Sequence, residues 1–365
     1  MGPVAHMNPE PVWEMGSEFH LDASSSAEAP SGRSFLPLQG ELHVSGRAAL
    51  IALLQHHDGP GECWLTEYAF PNVVAALTDR ASLRRYSDYP DSPFPDFNTL
   101  RPSQGDIVIV QDTFGLGDPE QWRSWMDDHP GVTVIEDITH NCTQERFLDS
   151  PAHFVFASVR KSVPTADGGI VFGKNGGLRR VSGTENAGAL MKLRAMRLKA
   201  EYLQGQPVDK SVFRELQVRG NALLTSANQG PCLSHTLRSL RSLRLGEMRS
   251  RWVENNIRLR QGIAAAQESP DVSFLLPRSG KEPLFHAVLQ CQSPDQREAL
   301  RQHLLAHAVY PAIHWSMQNC GEGASQRSLK LSDRLITVPT DFRYGDGHID
   351  QLCDLIIAGL RRKHN

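Results

Sequence analysis

Lys161 and Asp137 are the two residues whose types and positions in this 365-residue sequence could do chemistry together. The apolar run 132–135 ends in Glu136-Asp137, which sets a carboxylate at the end of an expected inner strand, the usual place for ligands in an open α/β sheet. A carboxylate buried there needs a cation. The next such run ends in Ala157-Ser158-Val159-Arg160-Lys161 and delivers a lysine one strand connection later. Lysine attacks a carbonyl only as the free amine, and burial beside another cation, here Arg160, lowers its pKa toward neutrality. The pair therefore suits imine chemistry on a ring whose nitrogen must stay protonated. Plainer readings stay open: Asp137 as the cap of a turn, and Arg160-Lys161 as a solvated basic pair.

Two further segments extend the pattern. Ser45-Gly46-Arg47 precedes the helical string RAALIALLQH, so unpaired N–H groups and the helix dipole favour an anion such as phosphate. Ser158 could turn its hydroxyl toward the same anion. Tyr68 and Phe70 follow an expected strand, and Phe70 lies before Pro71, where the chain turns; either ring could cover a flat ligand or simply fill the core. An imine-forming amine, an anion for a ring nitrogen, a phosphate cradle and a flat group are what a pyridoxal 5'-phosphate (PLP) enzyme needs.

These residues must be held by elements. Near-continuous apolar runs at 63–70, 106–112, 132–137, 153–158 and 168–173 read as strands buried on both faces, which predicts an α/β fold with a mostly parallel sheet flanked by helices. A charged, helix-rich stretch follows from about Thr184 to Arg260. Beyond it, a strand at 284–291 and helices at 295–308 and 348–362 suggest a smaller C-terminal α+β domain. The expected organisation is a tag remnant and flexible arm over 1–33, a large domain over 34–245, and a linking helix with a small domain over 246–365. The arm is expected from its small polar residues, and Met1 to Met7 reads as a cloning remnant.

A formal charge of -3, with 22% charged and 40% hydrophobic residues, gives no reason to expect a nucleic-acid or membrane partner. The six cysteines show no CxxC pair and no zinc-ligand spacing, so no metal is expected and reduced thiols in a cytoplasmic protein are.

Taken in order, the segments resemble the DegT/DnrJ/EryC1/StrS family of fold type I PLP enzymes, best known as sugar aminotransferases. The resemblance runs from about Ser45 to Ile357. It rests on SGRAAL at 45–50, TEYAFPNVVAAL at 66–77, IEDITH at 135–140, SVRKSVPTADGGIVFG at 158–173, YPAIHW at 310–315 and LITVPTDFRY at 335–344. It implies a Schiff base on Lys161, Asp137 as partner of the ring nitrogen, His140 near the ring hydroxyl, Phe70 over the ring, and Ser158 with Gly46 and Arg47 on the phosphate. It also implies a homodimer, with Asn221, Asn255 and Asn256 as candidates for contacts across its interface. The lysine segment departs from the commoner Ser-Phe-His-x-x-Lys. For the substrate, His314, Trp315, Arg343 and Tyr344 are candidates, Arg343 because guanidinium recognises carboxylates in a fork.

Three functions compete. Transamination of a small amino or keto substrate, sugar-derived in the family's manner, uses Lys161 to shuttle a proton. Elimination, decarboxylation or sulfur removal on an amino acid uses the same lysine, with Cys320 as the loop cysteine that sulfur removal needs. A binding scaffold without catalysis would need neither Lys161 nor Asp137.

Overall fold

The computed structural model describes residues 10–21, 39–55, 61–173, 178–243, 245–266, 272–319 and 324–361. Its strands in chain order are β1 (Met15–Gly16), β2 (Gly40–His43), β3 (Glu62–Thr66), β4 (Ser82–Tyr86), β5 (Ile107–Gln111), β6 (Thr133–Asp137), β7 (Phe154–Ala157), β8 (Gly169–Phe172), β9 (Leu178–Arg180), β10 (Val272–Phe274), β11 (Ala287–Cys291), β12 (Val309–Tyr310) and β13 (Leu335–Val338). The helices are α1 (Gly46–Gln55), α2 (Pro71–Leu77), α3 (Glu120–Asp127), α4 (Gln144–Asp149), α5 (Ala187–Leu203), α6 (Lys210–Ser226), α7 (Ser234–Ser242), α8 (Leu245–Ala264), α9 (Pro294–Ala306), α10 (Gln326–Ser332) and α11 (Asp346–Arg361).

The apolar runs form the centre of an eight-stranded sheet ordered β4-β3-β5-β6-β7-β8-β2-β9. From β4 to β7 every pairing is parallel, and β8 runs antiparallel to both β7 and β2. All five residues of β5 are buried, as a strand covered by helices on both faces requires. The chain passes from β3 to β4 on one side and returns to β5 on the other. That reversal opens a crevice at the carboxyl ends of the strands. The expected α/β class is the observed one, and the expected inner strands end within about one residue of the observed ones, except that the first runs on past β3, which ends at Thr66. The edge strands β4 and β9 escaped sequence reading because their charged residues do not make an apolar run; Arg84, for example, is exposed and pairs with Glu62 at 2.7 Å.

Beyond the long helix α8, the antiparallel sheet β10-β11-β13 packs with α9 and α11 around Leu289, Leu300, Ile336, Leu352 and Ile356. No helix among the described residues is long and apolar enough to cross a membrane. The described cysteines Cys63, Cys142, Cys232, Cys291 and Cys353 are free and buried, while Cys320 lies outside the described residues.

The expectation of a loose arm over 1–33 fails for residues 10–21; the rest of that range lies outside the described residues. Met15 is fully buried in the C-terminal core, and β1 pairs in parallel with β12. Glu14 accepts ion pairs from Lys199 at 3.2 Å and Lys210 at 2.6 Å. The partners that hold this segment come from α5, α6 and β12, far along the chain, so its local composition does not betray the packing.

One buried ion cluster supports the carboxyl ends of the central strands. Arg146 of α4, 7% exposed, donates Nε to Asp112 at 2.9 Å and its terminal nitrogens to Glu136. Removing the cation would leave two buried carboxylates uncompensated, a loss of about 3–5 kcal/mol. Arg146→Ala should therefore lower stability in urea unfolding by about that amount at pH 7, and by less near pH 4, where the Glu136 carboxyl, which burial raises above its ordinary value, takes up a proton. Equal losses at both pH values would refute the charge-based account.

Candidate active site

A cavity of about 210 Å³ lies at the carboxyl ends of β6 and β7, and its walls include Asp137, His140, Phe70, Ser158, Lys161, Gly46 and Arg47. They come from four places: the end of β6 (Asp137, His140), the end of β7 (Ser158, Lys161), the start of α1 (Gly46, Arg47) and the cap of α2 (Phe70). Asp137 is the last residue of β6, and strand alternation turns it toward the cavity while Glu136 turns to Arg146. Lys161 ends a single 3₁₀ turn directly after β7. Gly46 opens α1.

Asp137 is 2% exposed, and its Oδ1 accepts the Thr139 N–H at 2.9 Å. No cation among the described residues pairs with it. Burial pushes its carboxyl up to about 7 against the opposing hydrogen bonds from Thr139. Lys161 is its counterpart: no hydrogen bond or ion pair holds its amine among the described residues. The residue is exposed, and it borders both this cavity and a second one. The neighbouring Arg160 charge, and then burial, bring its pKa down to about 7, with Glu18 opposing.

His140 is fixed in one tautomer. Phe114 donates its backbone N–H to His140 Nδ1 at 3.1 Å, so the neutral ring carries its proton on Nε2. Burial keeps it neutral, reinforced by His314 and Lys161, which hold it well below the usual histidine range. Phe114 itself sits in the left-handed region at φ 59°, an uncommon conformation for a bulky residue. It is followed by Gly115 at φ 72°, where a Cβ would meet Pro283 Cβ at 2.6 Å.

The start of α1 is arranged as an anion cradle. Ser45 Oγ accepts the Ala48 N–H at 3.1 Å and so caps the helix. The N–H groups of Gly46 and Arg47 have no partner among the described residues. A Cβ on Gly46 would stand 2.9 Å from Ser158 Cβ, and one on Gly169 would stand 2.0 Å from the Ser45 carbonyl oxygen. Glycine at both positions is what lets helix start, lysine segment and β8 approach each other. Ser158 donates its N–H to Thr139 Oγ1 at 3.0 Å, and its hydroxyl is unpartnered among the described residues. The Arg47 side chain turns aside, to Asn228 Oδ1 at 3.0 Å and the Ala75 carbonyl at 3.2 Å, so only its main chain faces the cradle.

Of the two aromatic candidates only Phe70 borders this cavity. Gln111 clamps the segment, accepting the Phe70 N–H at 2.8 Å and donating to the Tyr68 carbonyl at 3.0 Å. The Phe70 ring lies 4.0 Å from Trp315 and 5.0 Å from His140 between centroids. Tyr68 is fully buried and donates its hydroxyl to the His314 carbonyl at 3.0 Å.

The remaining candidates fare unevenly. His314 borders the second cavity, with Nδ1 against Thr337 Oγ1 at 3.1 Å, and burial drives its pKa down to about 3. Arg343 borders it too, but Asp341 already fills its fork at 2.6 and 2.8 Å, so the fork is not free for a substrate carboxylate. Tyr344 accepts the Gly16 N–H at 2.6 Å and is packing for the N-terminal segment. Asn255 and Asn256 are not surface residues available to a partner: they are buried, bonding Asp341, Tyr344, Phe285 and Thr340 within the chain. Asn221 accepts from Arg160 at 3.4 Å. Sequence reading missed Thr139, which ties Asp137 to Ser158, and Glu18, Lys192 and His286, which border the second cavity. Only the Ile-Glu-Asp-Ile-Thr-His order carried any signal for Thr139.

No family model matches the sequence, and no curated protein does either. The fold, however, is shared with solved aminotransferase structures. Spr1654 from Streptococcus pneumoniae, provisionally assigned as a sugar aminotransferase and solved in its PLP form, superposes with a TM-score of 0.63 at 14% identity, over 96% of this chain and 99% of that one. DesI, solved in the presence of its TDP-sugar product, gives 0.59 at 17% over 99% and 95%. The sugar aminotransferase CalS13 from Micromonospora echinospora gives 0.57 at 15% over 87% and 86%.

The lowered pKa of Lys161 has a direct readout. Its labelling by an amine-acylating reagent, followed by peptide mass spectrometry, should rise with pH through a midpoint near 7, whereas ordinary lysines label with a midpoint near 10. Because Arg160 is the largest cause, Arg160→Gln should move that midpoint upward. A wild-type midpoint near 10 would contradict the electrostatics described.

Proposed function

We propose that the chain is a PLP-dependent aminotransferase acting on a small amino or keto substrate of the sugar-derived kind. The observation that carries this reading is that one cavity is walled by a buried carboxylate lacking a cation and an amine lacking an anion, Asp137 and Lys161. The donor set fits the cofactor: Gly46 and Arg47 N–H groups with the Ser158 hydroxyl would hold its phosphate, and Asp137 its ring nitrogen. His140 Nε2–H would donate to the ring hydroxyl, and Phe70 would cover one face. When bound, PLP supplies an aldehyde for imine exchange with amines and a ring that accepts electrons from a breaking bond.

The chain's own residues account for the rest. Lys161, near neutrality, would provide the amine that holds the cofactor and, when free, a base whose Nζ takes a proton from the substrate carbon and an acid that gives it back. Asp137 keeps the proton on the ring nitrogen, since a cation beside it relieves the burial that otherwise drives its pKa up. Phe70, Trp315 and His140 exclude water from the cavity side. Elimination, decarboxylation or sulfur removal would use the same lysine, and the names of the structural neighbours favour transamination. A scaffold without catalysis would have no use for an amine tuned to about pH 7.

We also propose a homodimer, as the family resemblance implies. Leu190 of α5 and Val212, Val218 and Leu223 of α6 expose apolar surface that a second copy would cover.

Mixing the protein with PLP should produce an absorbance band near the visible edge, absent in Lys161→Ala. An amino donor should then convert it to a stable pyridoxamine form, and Asp137→Ala should slow that conversion by at least a hundredfold while leaving the band. Release of ammonia, sulfide or carbon dioxide instead would move the assignment to the second reaction class. Near-native turnover of Asp137→Ala would remove Asp137 from its role. For the dimer, sedimentation should give twice the chain mass, and Leu223→Glu should shift it toward monomer; a monomeric wild type ends that proposal.

A further inference from the structure

The segments that carry Asp137 and Lys161 meet at one residue. Thr139 opens the 3₁₀ turn after β6 (Thr139–Asn141), is 6% exposed, and borders the cavity that the carboxylate and the amine share. Its N–H donates to Asp137 Oδ1 at 2.9 Å. On the other side, its Oγ1 accepts the Ser158 N–H at 3.0 Å, and its carbonyl accepts the Ser162 hydroxyl at 3.1 Å. Ser158 and Ser162 cap the single turn that ends in Lys161, so the carboxylate segment holds the lysine turn at both ends.

The Thr139 hydroxyl plays two roles at this junction. An oxygen that accepts one hydrogen bond still has its own proton to donate. Here that proton goes to the Asp137 carboxyl, where it works with the Thr139 N–H to favour the ionised form against burial. The other groups around Asp137 act differently. Glu136 on the same strand and Asp112 after β5 both push its pKa up, and both are held by Arg146. His140 and Cys142 of the following turn are uncharged, because burial lowers the imidazole and raises the thiol. Arg160 and Lys161 border the cavity without an ion pair to Asp137. Among the described residues, Thr139 is thus the side chain that donates to this carboxyl.

We propose that Thr139 is a positioning residue: its hydroxyl locks the Asp137 segment to the Lys161 turn and keeps Asp137 ionised, so that a proton beside it stays on the nitrogen of a bound ring. The part that concerns the ring rests on the PLP reading above; the part that concerns Asp137 does not. Valine has the shape of threonine without its oxygen. At position 139 it would take one donor from the carboxyl and leave the Ser158 N–H without its acceptor.

The test reads Asp137 itself. Aspartate labelled with 13C at its carboxyl is titrated by NMR in the full chain without cofactor, the Asp137 signal being assigned from Asp137→Asn. The wild-type midpoint should lie near 7. Thr139→Val should raise it by about one pH unit, the size of one hydrogen bond to a charged group, and Thr139→Ser, which keeps the hydroxyl, should restore it. Ser162→Ala breaks the same junction without touching that hydroxyl and should leave the midpoint in place. Thr139→Ala takes over the titration where the valine variant does not fold. In the PLP-loaded protein, Thr139→Val should keep the absorbance band and slow conversion by an amino donor about tenfold, with recovery in Thr139→Ser. An unmoved Asp137 midpoint in Thr139→Val overturns the inference, as does an equal rise in Ser162→Ala, which would make Thr139 a spacer. A band that converts at the wild-type rate in Thr139→Val overturns the part that concerns the ring. No band in wild type overturns the PLP reading, while the titration still decides what the hydroxyl does to Asp137.

Discussion

Two groups of opposite acid–base character, a buried carboxyl and an amine, border one cavity with no ion pair to either among the described residues, and the surrounding structure holds them there. Burial, with the nearby Asp112 and Glu136 charges, pushes the Asp137 carboxyl up to about 7, and a neighbouring cation with burial brings the Lys161 amine down to about 7. Left to themselves, such groups would swing to water or to each other. They do not, because Asp137 is fixed in β6 by the strand ladder and by Thr139, and Lys161 by the turn that follows β7. The neighbouring Arg146 cluster satisfies the other acidic groups of these strand ends, Glu136 and Asp112. Asp137 is thereby the carboxylate left for a ligand.

The same logic separates what the sequence could reveal from what it could not. Asp137, Lys161, Gly46, Ser158 and Phe70 all lie where a strongly patterned element ends, and in an open α/β sheet those ends converge, so their meeting could be read from local pattern and topology together. The Arg343 and Asn255 readings failed for a shared reason: their polarity suggests solvent or ligand, but each finds its partners inside the chain, at Asp341 and at backbone carbonyls. The expectation of a loose arm rests on the small, polar residues of 23–32 and passes over Val12, Trp13, Met15, Phe19 and Leu21 ahead of them. What secures them is Glu14 against Lys199 and Lys210 and β1 against β12, pairings with no local signature.

The division between legible and illegible residues follows the two cavities. The first is built from successive strand ends of one sheet, a geometry that many sequences can satisfy provided the runs are apolar and the glycines at the close approaches are kept. That is why the fold persists at 14% identity with no family model matching. The second is assembled from the N-terminal segment, from α5 and α6, and from the C-terminal half, and no local pattern couples these. Most of its walls lie outside the strand ends that hold Asp137 and Lys161. Lys161 alone borders both cavities as a reactive group, with Arg160 beside it on the same short turn. A substitution at position 160 thus acts on two properties at once, the acidity of the Lys161 amine and the charge of both cavities that Arg160 borders.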